Sequence, residues 1–188
     1  MTEVTSSAVS VILPVLNEEH YLANAVNAIL RQDFKGPIEV ILAIGPSKDR
    51  TLQIAEGLAA ADSRVKIVEN PTGRTAAGLN LAIANSIYPI IVRVDGHANI
   101  PDDYISIAVE LLRTTGAVNV GGVMAAEGHT PFECAVASAM RSPLGVGAAK
   151  FHTGGSAGES DTVYLGVFKR EAINAIGGFD EHFTRAQD

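Results

Sequence analysis

The chain has 188 residues, 47% apolar and 19% charged, a globular composition that suits one large or two small domains and needs no disulfide to hold a core. Its one cysteine, Cys134, excludes an intramolecular disulfide and a thiolate zinc site. With 14 basic and 21 acidic residues the net charge is −7, which argues against a nucleic-acid partner but permits a small anion held by an arginine, a metal or a helix N-terminus.

Residues 9–16 read as a strand buried on both faces. Leu22, Ala25, Val26, Ile29 and Leu30 then recur at helical spacing, with Asn17 placed to cap and Glu18 and Glu19 in the first turn. Residues 38–44 form a second buried strand, and Ser47 or Asp49 can cap a helix over 51–61. A third strand at 65–68, a helix at 75–86 and a fourth strand at 90–94 follow. Pro101 opens a helix with Ile105, Ala108, Val109 and Leu112 on one face, before a fifth strand at 118–124. Residues 132–140 suit a short helix that buries Cys134. The glycine-rich stretch 142–160 lacks apolar periodicity and reads as a long mobile loop, of a length that is usually functional or disordered. A strand at 161–168 and a helical turn or two at 169–176 complete the pattern, with Gly177 and Gly178 ending the helix. The alternation of strand and helix predicts an α/β fold: one mainly parallel sheet with helices on both faces, and no linker dividing the chain.

Residues 1–8 lack the basic and apolar regions of a signal peptide, and no apolar stretch approaches the roughly 18 residues of a membrane span. A cytoplasmic setting is the expectation from this.

Ligands of open parallel sheets bind beyond the carboxyl ends of the strands. There the sequence delivers Pro14, Asn17 and Glu18, then Ser47 and Asp49, then Asn70, Gly73 and Arg74, then Asp95 and His97. Asp95 and His97 flank Gly96, and a carboxylate with an imidazole can hold a divalent cation, with open positions for phosphate oxygens. A turn-capping Asp and a surface His fit the same spacing. Arg74 can meet a diphosphate at a helix start, or lie solvated on the surface. Asp49 by itself reads as a helix cap. His129, His152 and His182 read as surface residues. A phosphate-binding GxxxxGK[ST] loop, a full dinucleotide glycine fingerprint and a GxSxG elbow are all missing.

Together these segments resemble the family 2 glycosyltransferases, which have the GT-A fold, and among them the succinoglycan-type exopolysaccharide enzymes. Residues 9–19 are similar to the family's first strand and nucleotide-binding turn. Ser47-Lys48-Asp49-Arg50-Thr51 is similar to its S-x-D-x-T segment. Asn70-Pro71-Thr72-Gly73-Arg74, with Ala77-Gly78-Leu79-Asn80, resembles the segment beside the donor diphosphate. Arg93-Val94-Asp95-Gly96-His97 stands where the family has its D-x-D metal motif, with His in the second acidic place. Gly177-Gly178-Phe179-Asp180-Glu181 through Gln187-Asp188 resembles the segment ending in the catalytic base.

The resemblance implies a single GT-A (Rossmann-like) catalytic domain over 1–188, cut just after its base. It implies an inverting glycosyltransferase that moves a sugar from a nucleoside-diphosphate sugar to an acceptor hydroxyl, for polysaccharide or cell-envelope glycan synthesis. Asp188 is then the base. Pro14, Asn17, Glu18, Asp49, Arg74 and Asp95 bind the donor. Asp95 and His97 hold Mn²⁺ or Mg²⁺. Position suggests Asp161 and Thr162 as acceptor contacts and 142–160 as a lid. The acceptor is a glycan or lipid-linked glycan, and a longer parent protein could associate with the inner face of the membrane. Ile44 and Gly45 stand where many relatives carry an acidic pair, one of which contacts the nucleotide base. A sugar nucleotidyltransferase is the first rival, and residues 14–18 lack its basic glycine-rich loop. A non-catalytic nucleotide-sugar-binding fragment is the second.

Overall fold

The computed structural model describes residues 8–128, 130–142, 145, 158–160 and 162–183. The elements run β1 (Val9–Val15), α1 (Leu22–Leu30), β2 (Ile38–Ile44), α2 (Thr51–Ala61), β3 (Val65–Glu69), α3 (Thr75–Ala84), β4 (Ile90–Arg93), α4 (Tyr104–Thr115), β5 (Asn119–Gly122), α5 (Pro131–Met140), β6 (Tyr164–Lys169) and α6 (Arg170–Ala175). The strands form one six-stranded sheet in the order β3-β2-β1-β4-β6-β5. β1 pairs in parallel with β2 and β4, β2 pairs in parallel with β3, and β6 runs antiparallel to β4. This is the expected GT-A architecture, the parallel portion built from its first four strands.

The chain forms two compact units. Among the described residues the first holds 8–120 and 167–183, and the second those between 121 and 166. In the first unit β1 and β2 are apolar enough to be buried on both faces. Alternation along the strands splits their side chains between two layers. Ile12, Ile41, Ala43 and Ile91 pack against Leu79, Ala82 and Ile83 of α3 and Ile173 of α6. Phe179 joins this cluster, meeting Phe168 edge to face at 6.0 Å between ring centroids. Gly78 brings α3 close to the sheet, since a Cβ there would lie 2.8 Å from Asn70 Nδ2 and 3.4 Å from Pro14 Cβ.

The end of the sheet opposite the site is tied by a buried polar network. The Ser10 hydroxyl and the Ile87 amide both donate to Glu39 Oε1 at 2.6 Å, and Lys66 Nζ meets Oε2 at 2.8 Å. Burial alone would raise the Glu39 carboxyl, but the bonds from Lys66, Ser10 and Ile87 outweigh it and hold the group below its ordinary value. α6 ends as expected at Gly177 and Gly178. The Gly178 amide returns to the Ile173 carbonyl and the Gly177 amide to that of Asn174, a Schellman motif with both glycines at positive φ.

In the second unit α5 opens with a capping box between Thr130 and Glu133. The expectation that this helix buries Cys134 is corrected: Cys134 is exposed, as are Phe132 and Val136, while Ala137 is buried. Cys134 Sγ donates to the Gly128 carbonyl at 3.2 Å. Most of 142–160, with His129, His152, Asp161 and Asp188, lies outside the described residues.

Candidate active site at the carboxyl end of the sheet

The first site segment follows β1. The expectation that Asn17 caps α1 is corrected. That helix starts at Leu22 with Tyr21 at its N-cap, and Glu18 and Glu19 precede it. Asn17 instead sits at φ 56°, the left-handed region that Asn tolerates better than most residues, and its side-chain oxygen accepts from the Lys48 amide at 2.8 Å. The turn is therefore capped from another strand end. The Asn17 amide donates to the Ser47 hydroxyl at 3.0 Å, the Glu18 amide to the Thr51 hydroxyl at 2.7 Å, and the Glu19 amide to Asp49 Oδ2 at 3.1 Å. In return Arg50 donates to Glu19 Oε2 from both its amide and its Nε. Three consecutive amides after β1 are thus satisfied by alternate side chains of the segment after β2.

Asp49 accepts at Oδ1 from the Thr51 amide at 3.0 Å and from the Thr51 hydroxyl. Those bonds, the hydroxyl's foremost, hold its carboxyl below the ordinary value. The expectation that Ser47 or Asp49 caps α2 is corrected: that helix has Arg50 at its N-cap with no side-chain cap bond, and Asp49, one residue earlier, bonds Thr51 and the Glu19 amide instead.

After β3, Asn70 organises the turn into α3. Its side chain accepts from the Thr72 hydroxyl at 2.9 Å and donates to the Arg74 carbonyl at 3.0 Å, while the Thr72 hydroxyl accepts from the Arg74 amide at 3.1 Å. Gly73 stands at φ 64°. This turn meets the end of β2 at glycine: a Cβ on Gly45 would lie 3.1 Å from Gly73 Cα and 3.3 Å from the Val15 carbonyl oxygen. A side chain at position 45 would require these backbones to give by a few tenths of an ångström.

After β4, Arg93 reaches Asp95 Oδ1 from Nε at 3.3 Å, its own side chain largely buried. His97 is 60% exposed at the side chain, and its Nδ1 lies 2.8 Å from Glu18 Oε1. Gly96 makes this possible, since a Cβ there would come within 3.0 Å of Glu18 Cγ. A second tie runs from α3 to the segment after α6. Asn80 Oδ1 accepts from the Phe179 amide at 2.9 Å, and its Nδ2 donates to the Phe179 carbonyl and to Glu181 Oε1, each at 2.9 Å. Arg74 Nη1 donates to the Glu181 carbonyl at 3.4 Å. Beyond it, His182 bonds Asp180 from its amide, and this bond first holds Asp180 below the ordinary carboxylate value.

The four strand ends thus converge as expected. Asn17, Glu18, Asp49 and His97 are joined by hydrogen bonds or by the segments they bond, Asp95 lies on the same turn as His97, and Pro14 packs at Gly78 beneath the turn that carries Arg74. Thr162 accepts at its carbonyl from the Ser160 hydroxyl at 2.8 Å. From sequence Asn80 enters only as the end of the segment resembling that beside the donor diphosphate, without its tie to Phe179 and Glu181.

The donor set suits a divalent cation of the Mn²⁺ or Mg²⁺ kind. Asp95 would supply carboxylate oxygens and His97 a ring nitrogen, its Nδ1 lying 2.8 Å from Glu18 Oε1. Among the described residues no group of three or more His, Cys, Asp and Glu is arranged to hold a metal ion. A two-ligand site of this kind leaves positions for phosphate oxygens.

The model of glycosyl transferase family 2 matches residues 10–177. The chain is 33% identical to the succinoglycan biosynthesis protein ExoA of Rhizobium meliloti over 99% of its own length and 57% of that protein's. Among solved structures it superposes on residues 1–349 of Staphylococcus aureus TarS with a TM-score of 0.72 at 19% identity, over 96% of this chain and 52% of that one. It superposes on the mannosyltransferase PcManGT of Pyrobaculum calidifontis, solved with GDP-Man and Mn²⁺, with a TM-score of 0.67 at 25% identity, over 92% of this chain and 47% of that one. The chain spans about half the length of these relatives. Among the described residues no helix is long and apolar enough to cross a membrane. By its family match across most of its length and its GT-A sheet, the chain belongs to glycosyl transferase family 2, with an exopolysaccharide enzyme among its relatives.

Proposed function

We propose that residues 1–188 are the GT-A catalytic domain of a longer inverting glycosyltransferase. It moves a sugar from a nucleoside-diphosphate donor to a hydroxyl of a glycan or lipid-linked glycan in exopolysaccharide synthesis, working in the cytoplasm or at the inner face of the membrane. The observation that carries this reading is the Asp95-Gly96-His97 turn after β4, hydrogen-bonded through His97 to the nucleotide-binding turn after β1, in a chain of this family. The solved complexes of its neighbours agree with a nucleotide-sugar donor: TarS 1-349 was crystallised with UDP-GlcNAc and PcManGT with GDP-Man and Mn²⁺.

In this reading Asp95 and His97 hold a divalent cation, Mn²⁺ in preference to Mg²⁺ because one ligand is an imidazole. When bound, the metal supplies positive charge to the departing diphosphate. Arg74 meets the same charge from the start of α3. The Asp188 carboxylate takes the proton of the acceptor hydroxyl as its oxygen attacks the anomeric carbon. The bond from that carbon to the diphosphate oxygen breaks with its electron pair on the leaving group, so the configuration inverts. Pro14, Asn17, Glu18 and Asp49 contact the donor, and Asp161 and Thr162 are the residues assigned to the acceptor.

The test is a thermal-shift screen of nucleoside diphosphates with and without Mn²⁺. A ligand at 100 times its Kd adds about 2.7 kcal/mol, a rise on the order of 5–10 °C for a domain of this size. A metal-dependent rise for one diphosphate, lost in Asp95→Asn, is the expected result. Equal rises with and without metal would remove the Asp95–His97 assignment, and a preference for triphosphates would favour the nucleotidyltransferase.

A further inference from the structure

His97 has its partner on a different strand end, and the contact is made at Nδ1. Glu18 Oε1 lies 2.8 Å from Nδ1, within hydrogen-bond distance. The carboxylate is not a loose surface group. Its side chain is only 17% exposed, its backbone amide is pinned by the Thr51 hydroxyl at 2.7 Å, and its Cγ packs where a Cβ of Gly96 would come within 3.0 Å. The imidazole is the exposed member of the pair. A neutral imidazole left to itself exchanges between two tautomers, and only the nitrogen without a proton can bind a metal.

We propose that Glu18 is a positioning residue: it accepts the Nδ1–H of His97, holds the neutral ring in that tautomer, and keeps Nε2 as the unprotonated nitrogen of the Asp95-Gly96-His97 turn. This rests on the metal-site reading for its purpose, but the tautomer itself is a property of the metal-free chain. Carboxylate partners of ligating histidines fix the ring in this manner, and their loss typically lowers metal affinity by about 10–100-fold. The role differs from donor contact, the part Glu18 has in the family resemblance, because it acts through His97. It also gives the Thr51 hydroxyl a part at the site, through the Glu18 amide.

The experiment has two arms. In the first, long-range ¹H–¹⁵N spectra of the metal-free 188-residue chain report the protonation of each His97 ring nitrogen in the neutral form. The expected spectrum shows a protonated Nδ1 and a bare Nε2, and Glu18→Ala converts it to a mixture. A protonated Nε2, or a mixture already in the unsubstituted chain, overturns the proposal whether or not metal binds. In the second arm Mn²⁺ alone is titrated and followed by water-proton relaxation. Glu18→Ala is expected to weaken binding about 10–100-fold, and His97→Ala at least as much. The double variant is expected to bind no worse than His97→Ala. A further loss in the double variant would show that Glu18 ligates directly and overturn the positioning role. An unsubstituted chain that binds no Mn²⁺ defeats the metal reading alone, and the first arm still decides the tautomer.

Discussion

Replacing Gly178 by alanine isolates the strut between α3 and the segment after α6. Gly177 and Gly178 share nearly the same backbone, φ 82° and φ 86°, so alanine at either meets the left-handed penalty of roughly 1–2 kcal/mol. Their surroundings differ. A Cβ on Gly177 meets nothing within 4 Å, whereas one on Gly178 lies 2.6 Å from Asn80 Oδ1 and displaces that side chain. Asn80 then loses its bonds to the Phe179 amide, the Phe179 carbonyl and Glu181, at about 1 kcal/mol each or less where water replaces the partner. Gly178→Ala should therefore cost roughly 2–3 kcal/mol more than Gly177→Ala. With 1 kcal/mol worth about 2–4 °C at this size, Tm falls by roughly 3–6 °C for Gly177→Ala and 8–15 °C for Gly178→Ala. Thermal unfolding followed by circular dichroism measures both. In an Asn80→Ala background the two penalties should become equal, since the clash has gone. Equal penalties in the unsubstituted chain, or an undiminished Gly178→Ala penalty in that background, would refute the strut.

Asn17→Ala should cost about 2 kcal/mol, losing the acceptor of the Lys48 amide and leaving alanine at φ 56°, while Asn17→Gly should cost less because it relieves the backbone; urea unfolding of the pair checks the order. Glu39→Gln should cost about 2 kcal/mol at neutral pH through the charged bonds to Lys66, Ser10 and Ile87. Because the folded Glu39 carboxyl is held below its ordinary 4.5, its contribution is complete above that pH and is lost as pH falls through the folded value. Stability measured from pH 7 down to 3 should therefore decline less steeply in Glu39→Gln. His97→Asp should keep metal-assisted nucleotide binding and shift preference from Mn²⁺ toward Mg²⁺, and an unaltered metal profile would show that His97 is not a ligand. Asp188→Asn, in a longer chain, should spare donor binding and abolish transfer, and retained transfer would remove the base assignment.

The parallel strands were legible because their apolar runs are short, continuous and bounded by turns. β2 spans the expected residues, and β1 and β3 differ by a single residue. The convergence of strand ends was legible too, since topology alone brings Glu18 and His97 to one edge although 79 positions separate them. What failed was local reading where the partner is distant. Asn17 looks like a cap from its neighbours, yet its oxygen serves Lys48 and its amide serves Ser47. Cys134 looks like a core residue from the apolar pattern of α5, yet that helix buries Ala137 and leaves Phe132 and Val136 exposed. Asn80 belongs to the segment that the resemblance sets beside the donor diphosphate, but its bonds to the Phe179 backbone and the Glu181 side chain are not legible, since no spacing rule connects them to a residue of α3.

The reciprocal lacing of residues 17–19 with 47–51 bears on how this protein can be recombined with its relatives. Each amide of one turn is matched to a particular side chain of the other, so the two turns have to be inherited together. A chimera whose crossover falls between α1 and β2 pairs a native turn with a foreign partner and leaves amides unmatched at the carboxyl end of the sheet. A crossover placed after Thr51 transfers both halves of the lacing at once. The segment running from β1 into the first turn of α2 should accordingly be exchangeable between relatives as a block, and resist being moved in smaller pieces.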